Sequence, residues 1–157
     1  MKKRIVRCHG AGGRGQAMVE FAMGVPLLLT LLVASAVFGV AFNNELTLTA
    51  ATTTGAQLLS ISRGSTSDPC ATTSTAIKQA APGLTASSLT YSIAFGSGSP
   101  VTYGSPYTGT SCTSAASSLV SGNTAKVTVT YPCNLQIMNF NIVPSCALSA
   151  QTAELIQ

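Results

Sequence analysis

The chain holds few side chains able to do acid–base or nucleophilic chemistry. It has one histidine (His9), four acids (Glu20, Glu45, Asp68 and Glu154), five cysteines and no tryptophan. Charged residues make up 8% of its 157 positions, against about a quarter in ordinary globular chains. A Ser–His–Asp or Cys–His arrangement needs a base near the nucleophile, and the lone His9 stands in a basic stretch at the start of the chain. No catalytic residue is therefore expected, and the enzyme reading is the minor one. Gly10, Gly12 and Gly15 do fit a G-x-G-x-x-G spacing. Dinucleotide binding also requires a strand before the glycines, a βαβ unit and an acid about 20 residues further on. A charged tail precedes these glycines and an apolar run follows them, so no nucleotide cofactor is expected.

The cysteines offer different chemistry. Cys8 lies in the basic stretch, whereas Cys70, Cys112, Cys133 and Cys146 all follow the apolar run. Zinc is disfavoured because there is no C-x-x-C and no histidine beyond His9, so neither metal nor cofactor is expected. Four cysteines in an oxidising compartment suggest two disulfides, with three pairings possible. The favoured set joins Cys133 to Cys146, stapling the loop between the last two strands. Its second bond joins Cys70 to Cys112, tying a short helix to a long loop.

Charge placement sets the topology. Lys2, Lys3, Arg4, Arg7 and Arg14 fall within the first fifteen residues without an acid among them. From Gln16 onward there are three bases against four acids, a net of −1, so the overall +4 belongs to the tail. A nucleic-acid binder would spread its bases over a folded face, and no nucleic-acid partner is expected. Residues 21–42 form an uncharged run of 22 residues, FAMGVPLLLTLLVASAVFGVAF. As a helix it would be about 33 Å long, enough to cross a hydrocarbon core of about 30 Å. Bases before the run and none just after it place the N-terminus in the cytoplasm and the rest outside. The run is longer than a usual signal-peptide core and lacks a small-x-small cleavage pattern at its end.

At the junction, Arg14-Gly15-Gln16-Ala17-Met18-Val19-Glu20-Phe21, a glycine closes the leader and a lone carboxylate sits five residues later. One reading is that Glu20 snorkels into the headgroups. The sharper one is cleavage between Gly15 and Gln16 on the cytoplasmic side. The new Gln16 ammonium and the Glu20 carboxylate could then neutralise each other, which low dielectric favours over two isolated charges. This arrangement resembles a type IV prepilin. More specifically, RGQAMVEFAMGVPLLLTLL resembles the start of the TadE/TadG-like proteins of the tight adherence (Tad, Flp-type) pilus system. The matching residues are Gly15, Gln16, Ala17, Val19, Glu20, Phe21 and Pro26; the length is that of the short TadE-type members. The resemblance implies a pseudopilin or minor pilin in the bacterial inner membrane. Its implied partners are the lipid bilayer, a prepilin peptidase, other pilin-like subunits and the pilus assembly machinery, with Glu20 and Phe21 at the assembly contact.

The elements that must hold these residues are legible in outline. Three segments are expected: a leader at 1–15, an N-terminal helix at 16–62 and an extracytoplasmic domain at 63–157. The helix should run past the membrane with Leu46, Ala50, Thr54, Leu58 and Ile61 as its packed stripe and Asn43, Asn44 and Gln57 wet. It should stop at Arg63 and Gly64, with a break possible at Thr52, Thr53, Thr54 and Gly55. Asp68 followed by Pro69 predicts a second helix, which turns Ala76, Ile77, Ala80 and Ala81 inward and stops at Pro82. Leu89, Tyr91, Ile93 and Phe95 alternate with polar or small residues, as do Ala125, Val127, Val129 and Tyr131. A less regular strand is expected from Ala147 to Ile156 and a short one around Val101 to Tyr103. Residues 97–122, rich in Gly, Ser and Thr, read as a long loop or weak hairpin. The fold class expected is α+β: a long transmembrane helix leading into a small pilin-like domain with an antiparallel sheet of three to four strands. The competing functional reading is an uncleaved single-pass envelope protein whose external domain binds a ligand or partner, with Gly15 and Glu20 incidental.

Overall fold

The computed structural model describes residues 13–133, 135–137, 140–141 and 143–157. The basic stretch before Gly13, with His9 and Cys8, lies outside the described residues. One α-helix, α1, runs from Gly13 to Ile61, 49 residues, with Pro26 inside it. Hydroxyl groups in its apolar part are satisfied locally. Thr30 Oγ1 donates to the Pro26 carbonyl at 2.8 Å, and Ser35 Oγ to that of Leu32 at 2.8 Å. These bonds leave no hydroxyl proton unmet where water is scarce. After Ile61, Ser62 N bonds Leu59 O, and Gly64 adopts φ +73°, a left-handed turn that glycine takes without strain.

The threonine cluster does not break α1. Thr52, Thr53 and Thr54 each donate their hydroxyl to the carbonyl four residues back, at 2.7, 2.9 and 3.0 Å. Their hydroxyls are thereby turned onto the helix instead of competing with it. Gly55 has a packing role. A Cβ there would stand 2.5 Å from Ile77 Cγ1 and 2.9 Å from Ile77 Cδ1, so the second helix approaches through the space that glycine leaves.

That second helix, α2 (Pro69–Ala80), starts as expected, with Asp68 as N-cap accepting from Ala71 N at 3.0 Å. Its buried residues are Pro69, Cys70, Thr73, Ser74 and Ile77; Ala81 is buried too, but Ala80 is exposed. The strands are β1 (Thr90–Ser97), β2 (Thr102–Tyr103), β3 (Tyr107–Thr108), β4 (Thr124–Pro132), β5 (Gln136–Ile137), β6 (Phe140–Asn141) and β7 (Ala147–Leu155). The main sheet is antiparallel in the order β2-β1-β4-β7, with β3 also on β1; β5 and β6 form a separate pair. The sheet thus has five strands, one more than the pattern suggested. Residues 97–122 supply two of them as two-residue strands placed by pairing with β1. The α+β class stands.

One face of the sheet packs on α1 and α2. Tyr91, Ile93, Val127, Val129 and Ala150 meet Leu48, Ala51, Leu59 and Ile77 in a single core. The stripe of α1 that is buried is Leu48, Ala51, Thr52, Gly55, Ala56, Leu59 and Ser60. This corrects the expected stripe: Leu46 and Ile61 are 69% and 61% exposed, and Ala50, Thr54 and Leu58 face out as well. Small residues won the inward face because they let the sheet and α2 come close to the helix axis. The bulkier aliphatic side chains were left outside.

Candidate functional site

The leader junction falls in the first turn of α1. Gly15, Gln16, Ala17, Met18, Val19, Glu20 and Phe21 are helical, and all seven are exposed. The bond between Gly15 and Gln16 is therefore continuous with the helix. Gly13 and Gly15 each weaken that turn by up to about 1 kcal/mol relative to alanine. No part of the most apolar window of α1 is buried inside the protein, and Phe21, Met23, Leu27 and Leu31 are all largely exposed. A soluble core helix would hide such a surface. One apolar helix near the N-terminus is thus long and apolar enough to cross a membrane.

Two disulfides lie in the C-terminal part. Cys70 is joined to Cys112 with Cα atoms 5.3 Å apart, and Cys133 to Cys146 with Cα atoms 5.1 Å apart. The first is built around Asp68. Besides capping α2, Asp68 accepts from Cys112 N at 2.8 Å and from Ser111 Oγ at 2.6 Å. Cys70 N points at Cys112 Sγ, 3.0 Å away. Asp68, Cys70 and Cys112 bring metal-type ligand atoms within 4.8 Å of one another, but both sulfurs are spent in the bond, so no thiolate remains to hold a cation. Sequence reasoning found Asp68 as a helix cap and missed its second role. The Cys70–Cys112 pairing brings residue 112 near Asp68, but nothing local shows that Ser111 Oγ and Cys112 N donate to its carboxylate.

The hydrogen bonds from Ser111, Cys112 and Ala71 hold the Asp68 carboxyl below its ordinary value of 3.8. A carboxylate whose pKa is depressed by folding stabilises the fold above the unfolded value and loses that contribution as pH falls through the folded one. Thermal melts of the detergent-solubilised chain should therefore drop as pH is lowered from 3.8 downward, and Asp68→Asn should flatten that part of the profile. An unchanged acid limb in the variant would remove Asp68 from the explanation. Among the described residues three side-chain oxygens are buried without a partner: Tyr91 Oη, Thr73 Oγ1 and Glu45 Oε2. Burial pushes the Tyr91 phenol above its usual 10.0. Glu45 sits in the seam between α1 and β7, where Phe38, Ala41, Phe42, Glu45 and Leu148 line one cavity.

The class of protein defined by this geometry is a rod bearing a small sheet: one uncovered apolar helix that continues, unbroken, into the core of an α+β unit. Residues 15–57 match the family model described as TadE-like protein, a similarity confined to that segment. The match opens at Gly15, includes Glu20 and ends within α1, so the sheet lies beyond it. No curated protein and no solved structure matches the chain.

Proposed function

We propose that this chain is a TadE-like pseudopilin or minor pilin that takes part in assembly or initiation of a tight adherence (Flp-type IV) pilus for surface attachment. It is inserted in the bacterial inner membrane by residues 21–42, with the N-terminus cytoplasmic and the segment from about residue 63 outside. A prepilin peptidase cleaves between Gly15 and Gln16 and leaves Glu20 as the fifth residue of the mature chain. Its working partners are other pilin-like subunits and the assembly machinery, and its role is structural. The observation that carries this reading is that the TadE-like match begins at Gly15 and contains the junction with Glu20. The uncovered apolar surface of α1 supports a lipid environment, and two disulfides suit an oxidising compartment outside the cytoplasm.

The test is intact mass with N-terminal sequencing of the membrane-fraction protein, from cells with and without the prepilin peptidase. A start at Gln16 that depends on the peptidase is the expected result. An intact leader where the peptidase is active would overturn the processing claim and return the chain to a membrane-tethered binding domain.

A further inference from the structure

We propose that the seam between α1 and β7 holds one ammonium-bearing phospholipid, with Glu45 taking its headgroup and the apolar floor of the seam taking the start of its acyl chains. The inference rests on α1 crossing the membrane, and goes beyond that reading by giving the exit point of the helix a ligand. Glu45 is the first formal charge after Glu20. It follows the uncharged run by three residues, about 4.5 Å of helix. That sets it within the headgroup layer, which adds roughly 5–7 Å to each side of the hydrocarbon core. Phe38, Ala41, Phe42 and Glu45 stand at i, i+3, i+4 and i+7, so they share one facet of α1. Leu148 of β7 closes the other side, and these five residues line a cavity of about 170 Å³. The sheet holds Leu148 at that height. β7 runs alongside α1, with Thr152 Oγ1 3.4 Å from Thr53 Oγ1 and Gln157 N donating to Ser60 O at 3.1 Å. Phe38 and Phe42, 48% and 70% exposed, leave the facet open on the side away from β7.

The carboxylate selects the occupant. Glu45 Oε2 is buried without a hydrogen-bond partner, which leaves Oε1 as the oxygen that a ligand reaches. A carboxylate so placed is costly unless a cation meets it. Among the described residues the cations are engaged or remote. Lys126 stands 4.3 Å from the Tyr103 ring centroid, on the register of Ala153 at the far end of β7 from Leu148. Lys78 stands 5.9 Å from the Tyr91 ring centroid, on β1, two strands across from β7. Arg63 lies beyond Ile61, which is about 24 Å up the helix from Glu45. A second copy anchored at the same depth carries its cations at those same heights, so it offers Glu45 no counter-charge. What the membrane supplies at this level is the ammonium of phosphatidylethanolamine, with apolar chains below it. Phosphatidylglycerol has no cation and would set its phosphate against the carboxylate.

The test is native mass spectrometry of the full chain, purified in detergent, delipidated and titrated with phosphatidylethanolamine or phosphatidylglycerol of matched acyl chains. One phosphatidylethanolamine is expected to bind at least about tenfold more tightly than phosphatidylglycerol, the worth of one charge-assisted hydrogen bond. Glu45→Gln, nearly isosteric, should abolish that preference. Ala41→Leu fills the cavity from a helix position that suits leucine, and should weaken phosphatidylethanolamine binding with Glu45 still in place. Equal binding of the two lipids to wild type, or a preference that survives in Glu45→Gln, would overturn the site and leave the span intact. Undiminished binding by Ala41→Leu would put the lipid elsewhere and overturn the site as well. A chain that binds neither lipid and stays out of vesicles would remove the span and the site together. Dimers that disappear in Glu45→Gln would assign the seam to a second copy and overturn the lipid.

Discussion

Replacing Cys70 and Cys112 together with alanine is expected to lower the stability of the C-terminal unit by about 4 kcal/mol, the chain-entropy value for a loop of this size. The bond spans 42 residues, against 13 for Cys133–Cys146. The shorter loop should lose about 3 kcal/mol by the same relation. In melts of the full chain in detergent, the first loss corresponds to a fall in midpoint on the order of 20 °C for a unit of this size. The structure adds a reason for the order of the two effects. Cys70–Cys112 fixes the start of α2 against the turn after Ser111, and both sides also hang on Asp68. A smaller drop than for the Cys133/Cys146 double variant would show that the Asp68 hydrogen bonds alone hold that junction.

Glu20→Gln is expected to leave cleavage, insertion and protein level unchanged while abolishing the contribution of the chain to piliation. On the reading above, the mature Gln16 ammonium is left without its counter-charge in a medium of low dielectric. An uncompensated buried charge costs about 3–5 kcal/mol, so subunit recruitment should fall by at least about a hundredfold. Glu20→Asp, which keeps the charge on a shorter stem, should retain part of the function. The measurement is surface pili by immunoblot of sheared filaments, normalised to membrane-bound subunit. Wild-type piliation with normal levels of Glu20→Gln would end the pairing role. The exposure of Glu20 and its neighbours on α1 leaves them open to such a contact.

What the sequence made legible follows from which forces act locally. β1 and β4 alternate large apolar with polar or small residues, and the burial follows that alternation at Tyr91, Ile93, Val127 and Val129. β7 reads less clearly because its inward positions include Ala150 and Thr152, small or polar residues that fit only against α1. The start of α2 was readable from Asp68 and Pro69, since capping involves neighbours in the chain. The packed stripe of α1 was misread for a physical reason: hydropathy gives weight to Leu46, Leu58 and Ile61, whereas close approach selects Ala51, Gly55 and Ala56. The strands at Thr102–Tyr103 and Tyr107–Thr108 owe their existence to a partner strand, which no local pattern announces. Of the site, the junction from Gly15 to Phe21 is local chemistry and was visible. The hydrogen bonds that Ser111 Oγ and Cys112 N donate to the Asp68 carboxylate, from more than forty residues away, were not.

The unbroken course of α1 from Gly13 to Ile61 has a rotational consequence. Glu20 and Leu48, the first deeply buried residue of the stripe, are separated by 28 residues of a single helix. That is about 7.8 turns at 3.6 residues per turn, so the carboxylate points roughly 80° around the axis from the side on which the sheet is fastened. The compass bearing of the sheet is thus written into the number of residues between the two. Removing one residue from the span would swing the carboxylate by about 100° relative to the sheet, and removing seven by only about 20°. Length variation in this rod is therefore a phase change first and a change of reach second.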